Sequence, residues 1–347
     1  LLKRISLILV ALLLLLSFSA CGSEPAAPEN TGDNNATTED SGYEEALIRF
    51  GNFYNEATIY GQAVNKFKEV VESESGGKVT VDVFHGGTLG SEQEEAQAVK
   101  DGSLEMMFSG TAGVGLFVPA TAIFEVWYAF TDIGQLGEAF DTLHGDLDAA
   151  MQAQGFKLLG AYYDGPRNIL SNKKITKIED LKNVKLRAPG AKIYVDSITG
   201  LGAQAVSMDM SDVYTALQTG GIDAMEGTTD AIYQQKFYEQ GKYLIKDAHV
   251  FQPLSIIYNL DEWNALPEKT QELVQKAVKE SMDYQMQLYQ ETLQKELGEI
   301  TASGVEQVEI TDRDKWVAAV QSATEAYVAQ YGDLGKKIYD VVKSYQQ

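Results

Sequence analysis

From residue 43 onward, apolar and polar positions fall into two alternating rhythms. Residues 46–50 read as a strand, and Tyr60, Val64, Phe67 and Val71, three and four apart, mark one face of a helix that Gly76-Gly77 ends. Residues 78–84 (KVTVDVF) alternate as a half-buried strand does, residues 91–100 read as a helix with Ser91 as N-cap, and residues 104–108 as a short strand. This β-α-β-α-β order predicts an α/β lobe with a mainly parallel sheet.

The alternation then restarts. A helix over 132–154 leads to a strand at 157–163 (KLLGAYY), a short strand at 184–187, a helix over 191–199 closed by Gly200, and a helix over 211–218 with Ser211 as N-cap. Extended segments at 243–250 and 254–259 follow, placed to cross back between two lobes. The tail opens with a long helix over 267–297, with Pro267 near its start and Leu273, Ala277, Met282 and Met286 on its apolar side. Helices over 312–331 and 333–345 end it, and no fixed period suggests a solenoid. Residues 43–160 are expected to form mainly a first lobe, 161–250 mainly a second, and 251–347 a crossover strand and helices packing on both.

Ahead of this region Lys3 and Arg4 precede an apolar run at 5–16, too short to span a bilayer comfortably, then the small residues Ser17, Ser19 and Ala20. Residues 1–20 read as an export signal. The tetrapeptide Phe18-Ser19-Ala20-Cys21 resembles a bacterial lipobox, with Phe18 where leucine is commoner, and implies cleavage before Cys21 and its acylation. The rival is a buried free cysteine after an uncleaved anchor helix; either places the rest of the chain outside the cytoplasm. Residues 22–42 hold no large apolar side chain and read as a flexible linker. The net charge of −22, or −24 without the signal (26 basic against 50 acidic residues), disfavours nucleic acid and anionic lipid headgroups. An anion site in such a chain needs a few local cations. With the sole cysteine acylated, packing alone must hold the fold.

Candidate chemistry is sparse. His85, His144 and His249 stand alone, without ligand-like neighbours at helix or turn spacing, which argues against a metal or histidine-based catalytic site. Gly110, Gly113 and Gly115 lack both the dinucleotide fingerprint and a P-loop lysine, and no Gly-x-Ser-x-Gly elbow occurs. Residues 124–130 (FEVWYAF) read as core in which Trp127 and Tyr128 can also wall a pocket. Arg187 closes the strand at 184–187 before Ala188-Pro189-Gly190, and Arg167 follows Asp164-Gly165-Pro166. Strand ends facing a crevice bind ligands in open α/β sheets, and a guanidinium grips a carboxylate through two parallel hydrogen bonds. The competing reading is an ordinary salt bridge with one of many acidic residues.

Longer matches decide between these. Residues 180–187 (DLKNVKLR), Leu201-Gly202-Ala203-Gln204, Met208 and residues 211–223 (SDVYTALQTGGID) occur in an order that resembles the solute receptors of TRAP transporters, the DctP-like family. Residues 75–79 (SGGKV), 87–90 (GTLG), 100–104 (KDGSL) and 235–238 (QKFY) extend the resemblance over essentially all of the chain after the linker. It implies an α/β fold, a two-lobed clamshell like the periplasmic binding proteins with a long C-terminal helix. It also implies a non-enzymatic receptor that hands a small organic acid to a membrane permease pair, without a cofactor. By position, the family's carboxylate-binding arginine falls on Arg187 and its second arginine on Arg167. Asn52, Phe53, Glu92, Trp127 and Met210 match places where relatives contact ligand. Trp127 replaces a commoner proline, and Gly227 a commoner asparagine whose amide bonds the ligand, so Thr228 or water would have to substitute. The alternatives are a lipoprotein receptor for an ABC importer or signalling system, and a surface-anchored hydrolase or lyase using Asp164 or Glu226.

Overall fold

A computed structural model describes residues 42–345 apart from residues 112 and 209, so Cys21, the expected signal and nearly all of the linker lie outside the described residues. Strand β1 (Ala46–Asn52) leads to helix α1 (Ile59–Glu74), which starts where the Thr58 hydroxyl accepts the Gly61 N–H and stops at Gly76 and Gly77, both in the left-handed region. After β2 (Val79–His85), helix α2 (Glu92–Lys100) is opened by a capping box between Ser91 and Glu94, and β3 (Met106–Ser109) follows. Two short 3-10 turns, Val114–Leu116 and Pro119–Glu125, lead to α3 (Ile133–Gln152).

Strand β4 (Phe156–Ser171) runs for sixteen residues, well beyond the segment its alternation marks. Next come β5 (Lys185–Ala188), α4 (Lys192–Gly200), β6 (Gln204–Ser207) and α5 (Met210–Thr219). Ser211 falls inside α5 rather than capping it. Strand β7 (Ala224–Thr228) and helix α6 (Thr229–Gln234) precede β8 (Tyr243–Asn259), in which both expected extended segments join as one seventeen-residue strand. Helix α7 (Leu260–Ala265), the 35-residue α8 (Glu268–Ala302), β9 (Glu306–Val308), α9 (Arg313–Val328) and α10 (Gly332–Tyr345) complete the chain.

One mixed sheet of order β2-β1-β3-β8-β4-β7-β5-β6 runs through the molecule, with β9 added beside β8. The outer groups β2-β1-β3 and β7-β5-β6 are each parallel, and the long antiparallel pair β4 and β8 joins them. Tyr60, Val64, Phe67 and Val71 of α1 are all buried, packed with Phe50 and Phe108 of the sheet and with Leu273, Val274, Ala277 and Val278 of α8. Each large apolar side chain so buried contributes about 1.5–3 kcal/mol. The far end of α8 packs Ile300 into a separate cluster with Leu170, Met225 and Leu244, so this helix braces both strand groups.

The central ladder is irregular where the groups meet. The β4–β8 register shifts between Asp164 and Arg167, and Pro253, opposite Tyr163, has no N–H to offer. Gln285 of α8 substitutes for the ladder there: its amide donates to the Tyr163 carbonyl oxygen at 3.0 Å and accepts from the Tyr163 N–H at 3.4 Å. At the same break, a Cβ on Gly165 would lie 2.4 Å from the Tyr289 ring of α8. Gly165→Ala is therefore expected to destabilise the protein by about 1–3 kcal/mol, seen as a lower urea midpoint at unchanged m-value.

A second feature of the packing is electrostatic. Glu95 of α2 is fully buried over Gly51, and neither carboxyl oxygen has a hydrogen-bond partner among the described residues. Burial, helped by nearby Glu92, pushes its carboxyl up to about 7. The folded state thus holds a proton that the unfolded chain releases near the ordinary glutamate value, and stability falls as pH rises from about 4.5 through 7. Glu95→Gln should match the parent near pH 5 and exceed it by about 2 kcal/mol at pH 8, read from melts at the two pH values.

Candidate functional site

A cleft of about 380 Å³ opens beside this break and is lined from both strand groups. On one wall, Phe53 and Tyr54 follow β1, Glu92 opens α2, Gly110 and Thr111 follow β3, and Glu125 ends the second 3-10 turn. On the other wall stand Arg167 of β4, Arg187 of β5, Pro189 and Ala191 just after it, Tyr194 of α4 and Met210 at the start of α5. Residues beyond the C-terminal ends of parallel strands supply much of both walls, as the geometry of open α/β sheets favours. Tyr327 and Tyr331, in and just after α9, close in from the tail.

Charge is concentrated on the arginine wall. Arg167 makes a two-pronged bond to Glu226 of β7, Nε to Oε2 at 2.7 Å and Nη2 to Oε1 at 2.9 Å, and its guanidinium lies 5.2 Å from the centre of the Tyr194 ring. Arg187 is 3% exposed, donates from Nε to the Met208 carbonyl at 3.1 Å, and brings Nη1 within 3.7 Å of Glu226. Burial alone would push the Glu226 carboxyl up, but Arg167 and His249 outweigh it and hold the group down at about 2.

His249 is not isolated in space. Its Nε2 lies 3.2 Å from Glu226 and its Nδ1 2.9 Å from Asp247, and since both partners are acceptors, each ring nitrogen must carry a hydrogen. Burial by itself would lower the imidazole, but Asp247 and Glu226 together outweigh it and raise the group above its ordinary value, consistent with a buried imidazolium. The sequence signal was Asp247-Ala248-His249, two positions apart and hence on one face of a strand.

The expected site residues divide into two groups. Arg187, Arg167, Phe53, Glu92 and Met210 line the cleft together; Trp127, Asn52, Gly227 and Thr228 stand behind or beside it. Trp127 is 1% exposed and stacks on His249 at 4.1 Å, so it backs the charged wall instead of facing the cleft. The Asn52 side chain accepts the Tyr54 N–H at 2.9 Å and meets His85 at 2.8 Å, which shapes the turn presenting Phe53 and Tyr54. Gly227 pairs with Asn168 within the sheet, and the Thr228 hydroxyl accepts the Ala231 N–H at 3.2 Å as the cap of α6.

Glu125 was legible only as an odd carboxylate in the aromatic run at 124–130. It is buried, accepts a hydrogen bond from the Thr111 hydroxyl at 2.6 Å, and burial raises its carboxyl from the ordinary range. Glu92 accepts from the Ser109 hydroxyl at 2.7 Å and the Gly110 N–H at 2.8 Å, with burial again the larger influence and upward. Among the described residues no group of three or more His, Cys, Asp or Glu side chains is arranged to hold a metal ion.

Residues 50–331 match the DctP family, described as bacterial extracellular solute-binding protein, family 7. The chain is 26% identical over 300 residues to the 2,3-diketo-L-gulonate-binding periplasmic protein of Escherichia coli, covering 85% of this chain and 92% of that one. It is 26% identical over 313 residues to the C4-dicarboxylate-binding protein of Bacillus subtilis, covering 88% and 89%. Among solved structures, a TRAP periplasmic solute-binding protein from Roseobacter denitrificans with bound β-D-glucuronate superposes with a TM-score of 0.78 at 27% identity, covering 86% of this chain and 99% of that one. A TRAP periplasmic solute-binding protein from Ochrobactrum anthropi reaches a TM-score of 0.83 at 25% identity, covering 87% and 96%. The chain thus belongs to the DctP family of extracellular solute-binding proteins, non-enzymatic receptors of TRAP transporters with a mixed α/β periplasmic-binding-protein fold.

Proposed function

We propose that the cleft captures the carboxylate of a small organic acid on Arg187, with Arg167 holding the charged wall in place, before delivery to a TRAP permease. The carrying observation is a pair of guanidiniums, Arg167 and Arg187, that line one wall of the cleft of an otherwise acidic protein. An incoming carboxylate can accept charge-assisted hydrogen bonds from that wall, each contributing about 1.5–3 kcal/mol net. The relatives' ligands, 2,3-diketogulonate, C4-dicarboxylates and glucuronate, share that group.

In this reading residues 43–160 and 161–250 act as two lobes and 251–347 straps both. The shifted register between Asp164 and Arg167 supports a bend there, and Phe53 and Met210, on opposite walls, close over the ligand. Trp127, Asn52, Gly227 and Thr228 serve by supporting the walls. Cys21 carries the acyl anchor that tethers the receptor to the outer side of the cell membrane.

Arg187→Ala is expected to weaken acid binding at least about a hundredfold by calorimetry while the melting curve keeps its cooperativity, because Glu226 retains Arg167. Unchanged affinity would remove Arg187 from the site. For the anchor, Cys21→Ser should abolish incorporation of radiolabelled palmitate and release the protein from the membrane fraction; retention of the label would refute acylation at Cys21.

A further inference from the structure

The turn that brings Phe53 and Tyr54 to the cleft is held by a chain of side-chain hydrogen bonds that runs in one direction. Its first link is the Tyr54 N–H, which donates to Asn52 Oδ1 at 2.9 Å. Asn52 Nδ2 then meets His85 Nδ1 at 2.8 Å, His85 Nε2 meets Asn65 Oδ1 at 3.1 Å, and Asn65 Nδ2 donates to Glu56 Oε1 at 3.0 Å. The chain joins the ends of β1 and β2 to α1 and to the turn between β1 and α1.

Both ends of the chain are fixed in role. A backbone N–H only donates, and a carboxylate only accepts. The Tyr54 N–H thereby sets which side of the Asn52 amide is oxygen and leaves the Asn52 NH2 group facing the ring. Glu56 does the same for Asn65, whose oxygen faces the ring from the other side. One nitrogen of His85 must accept and the other must donate, so the ring is neutral with its hydrogen on Nε2.

A second proton has no place in this arrangement. An imidazolium donates from both nitrogens, which sets Nδ1–H against the Asn52 NH2 group 2.8 Å away. Turning the Asn52 amide over would offer the ring an oxygen, but it would then point the NH2 group at the Tyr54 N–H. Asn52 has zero exposure, so it cannot turn to solvent without moving the turn it holds. The ring's partners on β1 and α1 are uncharged amides, and Glu56 is the charged group that bears on it. Glu56 favours the proton, but burial opposes it more strongly and holds the imidazole below its ordinary value of about 6.5. The arrangement is therefore intact at neutral pH and meets its conflict in mildly acid solution.

We propose that His85 is a positioning residue of the cleft: while neutral it locks the Asn52 amide that holds the turn of Phe53 and Tyr54, and on taking a proton it releases that turn. The Tyr54 ring stacks on Tyr60 at 4.8 Å and the Phe53 ring lies 5.3 Å from Phe108, so the release is local and the lobe keeps its packing. Phe53 and Tyr54 line the wall opposite Arg187 and Met210, and acid loosens that wall. This consequence for a ligand rests on the receptor reading above, whereas the lock itself is read without ligand.

Nuclear magnetic resonance of the ligand-free full chain between about pH 7.5 and about pH 5 tests this. At the upper end the His85 ring should carry its hydrogen on Nε2, and the Tyr54 amide signal should shift with the same midpoint as the ring. Asp164, which takes the Tyr60 hydroxyl at 2.8 Å beside the Tyr54 ring, has a carboxyl that burial pushes up to about 6 and titrates in the same window. His85→Gln separates the two, because glutamine accepts at its oxygen and donates at its nitrogen but takes no proton. In that variant the Tyr54 amide should stand near the parent's neutral position and lose the part of the shift that follows the ring, while His85→Ala should displace it already at neutral pH. A hydrogen on Nδ1, a ring still neutral at about pH 5, a ring that titrates without moving the Tyr54 amide, or a His85→Gln variant that titrates like the parent would overturn the proposal. Should neither variant fold, the parent's tautomer and the match of midpoints still decide. Since no ligand enters the experiment, its failure leaves the receptor reading to the Arg187→Ala result.

Discussion

A single buried carboxylate organises the cleft. Glu226 sits on β7 at zero exposure, and the side chains that answer it come from β4, β5 and β8, its neighbours on either side in the sheet and the strand beyond. Removing an ion from water is costly unless partners surround it, and here the partners are themselves buried cations that need Glu226 as much as it needs them. The arrangement extends backward through His249 to Asp247, which takes the Tyr128 hydroxyl at 3.2 Å, and Arg313 reaches the Asp247 carbonyl at 2.6 Å. Arginine positions beneath the cleft are consequently set by a network spanning four strands and the first turn of α9.

That network explains how an acidic chain holds an anion site. The net charge is strongly negative, while the cations that matter are few and lie under the surface, held against buried carboxylates. Their pull on a ligand is felt at short range, where screening by salt and water is weak. Attraction over longer distances is opposed by the rest of the molecule, so recognition depends on contacts made inside the cleft.

Much of the scaffold was legible in the sequence because long amphipathic segments carry strong periodic signals. The face of α1, the Ser91 cap and the long helix after Pro267 followed from spacing and capping chemistry alone. Elements of three to six residues, such as β6, β7, α6, α7 and β9, are shorter than the window in which a period declares itself. Strand β8 read as two segments because Gln252-Pro253 interrupts its alternation, and only the neighbouring strand and Gln285 show that it continues. For the site, the strand-end arginines were readable from local chemistry and firmer by resemblance. Glu226 was named only for an enzymatic alternative, and the roles of Glu226, His249 and Glu125 in the cleft were not readable, since they depend on segments brought together from distant parts of the chain. Trp127 shows the converse: an aromatic beside a pocket in sequence became, in space, the support behind it.

The side chain of Gln285 carries a mechanical consequence. In a regular ladder, flexing the sheet across β4 and β8 would strain or break backbone hydrogen bonds, and that loss would resist movement. Pro253 and the shifted register have already removed regular pairing at this point, and α8 supplies the substitute through a flexible amide. Bending at Tyr163 can then proceed without an enthalpic toll in backbone pairing, with the long helix acting as a spring leaf that stays attached on both sides while the angle changes.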